Sequence, residues 1–203
     1  MTARVDHIVT SGTLSLDGEN FDVDNNVWLV GDDSECVVID APHDAKAIAD
    51  LVGDRRVLAI LCTHAHDDHV RVAPELAQQV IAPILLHPDD LPVWELTHEV
   101  RPDGELQDGQ QIHVAGTVLE VLHTPGHAPG AVCFHAPELG VLFSGDTLFN
   151  GGPGATGRSF SDHPTIVRSI TEKLFALPDE TVVHTGHGED TTIGAERGNV
   201  TAD

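Results

Sequence analysis

Apolar residues in this chain come in short runs between polar turns, and the spacing within each run sets the element it predicts. Residues 26–31 (NVWLVG) and 36–40 (CVVID) read as paired strands around the turn Gly31-Asp32-Asp33-Ser34. A helix is expected over 44–52, with Ile48, Leu51 and Val52 on its apolar side and Gly53 as its stop. The uncharged run VLAILC at 57–62 predicts a buried strand. Apolar residues at 72, 73, 76, 77 and 80 predict a helix over 70–80, with Pro74 tolerated in its first turn. A short strand at 83–86 and a helix at 89–96 follow, and then strands at 111–114, 117–123, 131–135 and 141–144, set apart by glycines and prolines. Ile166, Val167, Ile170, Leu174 and Phe175 predict a helix over 164–177, capped by Asp162 or Ser161 and opened by Pro164. TVVHTGHG supplies a last strand ending in histidine. Strands and helices alternate in both halves, which predicts an α/β chain with sheets between helices.

Composition narrows the partners. Ten basic against 33 acidic residues give a net charge of −23, a surface that repels phosphate backbones and anionic membranes. The expectation is therefore no nucleic acid and no membrane partner. The length of 203 residues suits a single domain, 1–203. Cys36, Cys62 and Cys133 sit in apolar runs with no C-x-x-C pair, so buried reduced thiols are expected. The opening residues MTARVDHIVTSGTL hold no apolar signal region, and no stretch approaches the length of a membrane span, so a cytoplasmic location is expected.

Chemistry gathers at the ends of the expected strands. Thr63–His69 (THAHDDH) places three histidines and two aspartates just after VLAILC; His127 follows in TPGH, Asp146 in SGD and His187 in TGHG. Imidazole suits zinc and iron, and a carboxylate can bridge two cations. Five histidines with Asp68 and Asp146 exceed what one tetrahedral ion uses, so the count points to two divalent metals, zinc foremost and iron or manganese as alternatives. His64 and His66 project to the same side of an extended segment, while Asp68 and His69 fall where the chain turns into a helix. Of the other histidines, His7, His87, His98, His113, His123 and His135 are expected on strand or loop surfaces, and His184 as a support for its strand end. His43 and His163 lie in loops that follow motif residues, within reach of a substrate pocket.

The pattern T-H-x-H-x-D-H, T-P-G-H, G-D and G-H resembles the metallo-β-lactamase fold superfamily, in particular its glyoxalase II-like hydrolases. The resemblance implies a four-layer αββα sandwich. It also implies that His64, His66 and His127 hold one metal, that Asp68, His69 and His187 hold the other, and that Asp146 bridges them. Asp40, at the place of the family's first motif aspartate, would support the ligands, and Thr63 and Thr185 would hydrogen-bond to them. Asp67 falls at a variable position, where capping the next helix is expected.

Two such metals can hold a hydroxide at neutral pH, and a thiol leaves without much help, so thioester hydrolysis with Asp68 in a catalytic role is the expected chemistry. Glutathione-using relatives carry a C-terminal helical domain, which is not expected here, and contacts through tyrosine cannot exist in a chain without that residue. The carrier is then left open among small thiols, glutathione, mycothiol or another. GGPGATGR replaces a compact G-G-C-G-R and puts Arg158 forward as a bidentate partner for a substrate carboxylate. The nearest rival is the mononuclear iron persulfide dioxygenase of the same superfamily, which would use His64, His127 and Asp146. A metal-binding scaffold or sensor without turnover would predict a missing ligand, and none is missing.

Overall fold

Neighbouring residues in the central strands point to opposite apolar clusters: Val27, Leu29, Cys36 and Val38 to one, Trp28, Val30, Val37 and Ile39 to the other. A sheet buried on both faces needs a layer against each. The computed structural model, which describes residues 2–201, supplies them. The first sheet is β1 (Arg4–Leu16), β2 (Glu19–Gly31), β3 (Glu35–Ile39), β4 (Arg56–Leu61), β5 (Ile84–Leu86) and β6 (Gly104–Glu105), in that spatial order. Its first three strands pair antiparallel and the rest parallel. Helices α1 (Ala45–Val52), α2 (Asp67–Val70), α3 (Ala73–Val80) and α4 (Leu91–Trp94) supply the residues that cover its outer face.

The second half of the chain adds β7 (Gln111–Val114), β8 (Thr117–His123), β9 (Val132–Ala136), β10 (Val141–Gly145) and a small hairpin, β11 (Leu148–Phe149) with β12 (Gly152–Pro153). Helix α5 (His163–Glu172), β13 (Val182–Thr185), β14 (Thr191–Thr192) and α6 (Ile193–Glu196) complete it. The second sheet runs β14-β13-β10-β9-β8-β7. Between the sheets, Trp28, Val30, Val37, Ile39 and Leu61 meet Leu119, Val121, Val132, Phe134 and Phe143. Outside the second sheet, Ile166, Val167, Ile170 and Ile193 pack on Cys133, Leu142 and Val183. The result is the αββα sandwich.

Local chemistry sets the helix ends. Asp44 accepts a hydrogen bond from Ala47 N (2.9 Å) to start α1, and Gly53, at φ 64°, stops it. Asp162 does the same for α5 through Thr165 N at 2.9 Å, which selects it over Ser161 as the cap. All three cysteines are buried and free.

Several expectations need correction. The helix foreseen over 70–80 begins only at Ala73, because α2 is a separate turn that ends at Val70. The helix over 164–177 gives way to a 3₁₀ turn at Leu174–Ala176, and that over 89–96 shrinks to α4 behind a 3₁₀ turn opened by Pro88. Asp67 does not cap α2: it is the first helical residue, and its carboxylate instead accepts from Ser15 N (3.0 Å) and pairs with Arg71. His87 and His135 are buried rather than on the surface. Among the described residues no helix is long and apolar enough to cross a membrane.

Candidate metal centre

Strand ends deliver the site. His64 to His69 follow β4, Pro125 to His127 follow β8, Asp146 follows β10, and Gly186 and His187 follow β13. At the end of β3, Asp40 adopts a left-handed φ of 63°, a conformation costly for a non-glycine residue and found where surroundings hold it in place. Those surroundings are explicit. Asp40 Oδ1 accepts from Thr63 N (2.7 Å), and Oδ2 accepts from Thr63 Oγ1 (2.7 Å) and His69 Nδ1 (2.8 Å). Gly186 is a glycine for a steric reason: a Cβ there would run into Asp146 Oδ1 and approach His69 Cε1 to 2.9 Å.

Outer partners fix which ring nitrogen of each histidine faces inward. His69 Nδ1 is taken by Asp40, His127 Nδ1 by Ala155 O (2.8 Å) and His187 Nδ1 by Asp24 O (2.8 Å). Since Thr63 Oγ1 gives its proton to Asp40, its lone pair accepts from His64 Nδ1 at 3.1 Å. Each of these four rings thus turns its Nε2 to the interior, the nitrogen a metal would take. His66 is turned the other way and presents Nδ1, 3.1 Å from His64 Nε2 and 3.0 Å from His127 Nε2.

Three ring nitrogens, His64 Nε2, His66 Nδ1 and His127 Nε2, thus converge on one point, as the ligands of a single cation do. Ligands around a tetrahedral zinc are separated by about 3.3 Å, close to what these rings show. Donor atoms group within 4.8 Å of one another in three sets: His64, His66 and His127; His64, His69 and Asp146; and Asp68, His69 and His187. Asp146 links the sets, with Oδ1 3.3 Å from His69 Nε2 and Oδ2 3.5 Å from His127 Nε2 and 3.4 Å from His187 Nε2. Its Oδ1 is buried and accepts no hydrogen bond. The donor set fits two cations.

Charge tells the same story. Burial, with His69 next to it, holds the His64 pKa well below the ordinary imidazole value, and burial with His127 brings His66 to about 3. Burial also opposes charge on His69 and His187, but there the carboxylates win. Asp146 and Asp68 hold His69 well above its usual value, and Asp146 leads in raising His187 to about 10. Burial opposes ionisation of Asp68 and Asp146 too, yet His69 leads in bringing Asp68 to about 2 and Asp146 well below the carboxylate range. Two buried carboxylates demand two positive charges beside them, which a divalent cation would supply in place of two protons.

Not every residue singled out from the sequence arrives at this centre. Thr185 Oγ1 donates to His187 O (2.7 Å), and its carbonyl accepts from Asn26 Nδ2 and Trp28 Nε1, both at 3.0 Å, so it braces the loop. His184 braces the same strand end, wedged beside Trp28 and bonded to Asp190 Oδ2 at 2.9 Å. His163 opens α5 and turns to Thr156 Oγ1 (3.3 Å), away from the cavity wall, because the helix start fixes its direction. His43 stands behind the site, bonded to Asn25 rather than lining the pocket.

Two residues near the ligands carry no motif signal. Asn25, fully buried on β2, points its carboxamide at Asp68 Oδ2 (3.1 Å). Asp90, also fully buried, accepts from Ala65 N (2.7 Å), between two ligand histidines, and from Gly130 N. It thereby ties the His64–His69 segment to the His127 loop. The asparagine in VDNN and the aspartate in HPDD could have been flagged only as polar residues at the edge of apolar runs. A fourth set, His87, Asp89 and His123, also clusters. Its rings are stacked nearly parallel, 3.9 Å apart at 13°, and His87 Nδ1 and His123 Nε2 are occupied by Asp89 N and Pro129 O. Parallel rings with occupied nitrogens do not converge on one ion.

A cavity of about 240 Å³ opens over the centre, floored by His66, Asp68, His127, Asp146 and His187 and walled by Leu14, Phe149 and Ala155. Arg158, Ser159 and Ser161 stand at its polar side. The mouth is tied to the β1–β2 hairpin: Ser159 Oγ donates to Asp17 Oδ1 (2.8 Å), while Arg158 lies 3.5 Å from Glu19 Oε2 and stacks over Phe21 at 4.9 Å.

Comparison with known proteins agrees with this geometry. The model of the metallo-beta-lactamase superfamily matches residues 21–187. "Probable metallo-hydrolase YqgX" of Bacillus subtilis (strain 168) is 34% identical over 194 residues, covering 85% of this chain and 89% of that protein. A hydroxyacylglutathione hydrolase of Aeromonas salmonicida (strain A449) is 36% identical over 169 residues, covering 81% of this chain but only 61% of the relative. Among solved structures, the BLEG-1 B3 metallo-beta-lactamase superposes with a TM-score of 0.78 at 30% identity, covering 94% of this chain and 98% of that one. TTHA1623 in a di-iron-bound form gives 0.76 at 36% identity, covering 87% and 94%. With the fold, the donor set and the match across most of its length in agreement, the chain belongs to the metallo-beta-lactamase superfamily, whose members bind divalent metals.

Proposed function

We propose that this protein is a binuclear metallo-hydrolase that cleaves a thioester of a small thiol. The observation that carries the reading is the inward convergence of five imidazoles and two carboxylates, four of the rings held from behind by a partner on Nδ1, under one apolar-walled cavity. His64, His66 and His127 would hold one divalent ion, Asp68, His69 and His187 the other, and Asp146 would lie between them. When bound, two such ions supply an activated water near neutral pH and an electrophile for a carbonyl oxygen.

The chain's own residues do the rest. Leu14, Phe149 and Ala155 seat an acyl group and exclude bulk water from it. At about 240 Å³ the cavity falls below the usual range of about 300–1,000 Å³ for drug-sized ligands, so it suits a compact acyl group, with the thiol carrier continuing out of the mouth. Asp68, ionised and buried, would accept a hydrogen bond from the attacking water and set its direction. Arg158 is placed at the rim to receive a substrate carboxylate. The sulfur leaves as a thiolate without a dedicated acid, since a free thiol ionises near about pH 8.5. The resemblance to a hydroxyacylglutathione hydrolase supports the thioester, and the moderate identity leaves the carrier to experiment.

Elemental analysis of protein purified without chelator or affinity histidines, followed by a thioester panel, tests the reading. About two ions per chain with thioester turnover, lost in a folded His66→Ala variant, is the expected result. One iron per chain with oxygen uptake on persulfides would replace it with the dioxygenase. Unchanged thioesterase activity in His66→Ala would remove the hydrolase altogether.

A further inference from the structure

The candidate ligand set explains neither Gly12 nor His43, yet the two are packed against each other. Gly12 lies within β1, where a glycine weakens a strand and marks a place that another group approaches closely. The group is the His43 imidazole: a Cβ on residue 12 would collide with its Nδ1 and lie 2.8 Å from Cε1. So held, His43 reaches Asn25 with Nε2 2.8 Å from Oδ1. Its Nδ1 is buried without a partner, so the proton sits on Nε2 and is donated to the carboxamide oxygen.

That bond settles which way the Asn25 amide faces. With the oxygen occupied by His43, the NH₂ must turn to Asp68 Oδ2 at 3.1 Å; the flipped amide would set an oxygen against a carboxylate. Nδ2 also stands 3.3 Å from His69 Nε2 and 3.4 Å from His187 Nε2. One amide nitrogen therefore touches a donor atom of each of Asp68, His69 and His187, the residues assigned to the second metal, and none of these contacts reaches His64, His66 or His127. We propose that Asn25, oriented by His43, is a positioning residue that sets the affinity of the second metal position and leaves the three-histidine position alone.

The inference rests on the two-metal reading above and adds a prediction that the reading does not make. Groups that orient metal ligands contribute about 10–100-fold to metal affinity. Cobalt(II) titration of the metal-free protein, followed by visible absorption and chelator competition, resolves the two positions by stoichiometry and affinity. Wild type should take two ions. In Asn25→Ala the second should bind about 10–100-fold more weakly, with the first unchanged within twofold. His43→Ala and Gly12→Ala, which disturb the amide from behind, should shift the same step in the same direction, and His43→Gln, which retains a donor for Oδ1, should recover most of it. Should Asn25→Ala not fold, the His43 pair carries the test. A wild type that takes a single ion sinks the two-metal reading and this inference with it. Two ions in wild type, with the second step unmoved in the variants or both steps weakened alike, overturns the role of Asn25 and leaves the two-metal reading standing.

Discussion

At the scale of single residues, the side chains that converge at the candidate centre were legible in sequence because their motifs are local: H-x-H-x-D-H, T-P-G-H, G-D and G-H each follow or end a strand. What holds them was not. Asn25 and Asp90 arrive from elements 43 and 25 residues away from the atoms they touch, and no spacing rule connects them to the motif. Asp90 has a measurable signature. Burial pushes its carboxyl up to about 6, against an unperturbed 3.8, despite two backbone N–H donors. For an acid whose folded pKa is raised, the native state binds more protons than the unfolded state between those two values, so stability falls as pH rises from about 4 to 6. Two units correspond to about 3 kcal/mol. Asp90→Asn should therefore show a flatter dependence of urea midpoint on pH than wild type over that window. Parallel profiles would mean that the carboxyl is ionised throughout.

At the scale of elements, the central strands and α1 were readable because burial on two faces leaves dense apolar runs and the caps have the right chemistry. Of the β1–β2 hairpin only the inner part of β2, residues 26–31, was read, and it was paired with β3; β1 was not read. β1 mixes exposed and half-buried positions and the outer part of β2 is largely exposed, so neither carries a dense apolar run, although the two strands pair along their full length. The tiny β11–β12 pair was unreadable for a different reason, since two residues per strand hold no period. Helix α5 shows how the two kinds of information differ in weight. Ile170 is fully buried against the second sheet, whereas Asp162 caps the helix from an exposed position. Chemical denaturation should show Ile170→Ala to cost about 2–5 kcal/mol and Asp162→Ala about 1 kcal/mol. Equal losses would mean that the helix is held by its end rather than by its face.

At the scale of the molecule, the sandwich follows from two sheets that share the cluster around Trp28, Phe134 and Phe143, and its outer faces are left to charge. A net charge of −23 on 203 residues is a source of self-repulsion that screening relieves. Raising salt from about 0.01 M to 0.15 M shortens the Debye length from about 30 Å to about 8 Å. Calorimetry should find a higher Tm at the higher salt, by about 2–4 °C for each 1 kcal/mol of repulsion removed. A Tm that falls would place the dominant electrostatics in surface ion pairs instead.

The donor atoms are divided between the two sheets: residues 64 to 69 leave the first, and His127, Asp146 and His187 leave the second. A nascent or half-assembled molecule, with one sheet formed and the other still unmade, owns only fragments of a reaction centre. Each of the donor sets that draws on both halves can therefore close only when the two sheets have come together over the shared core.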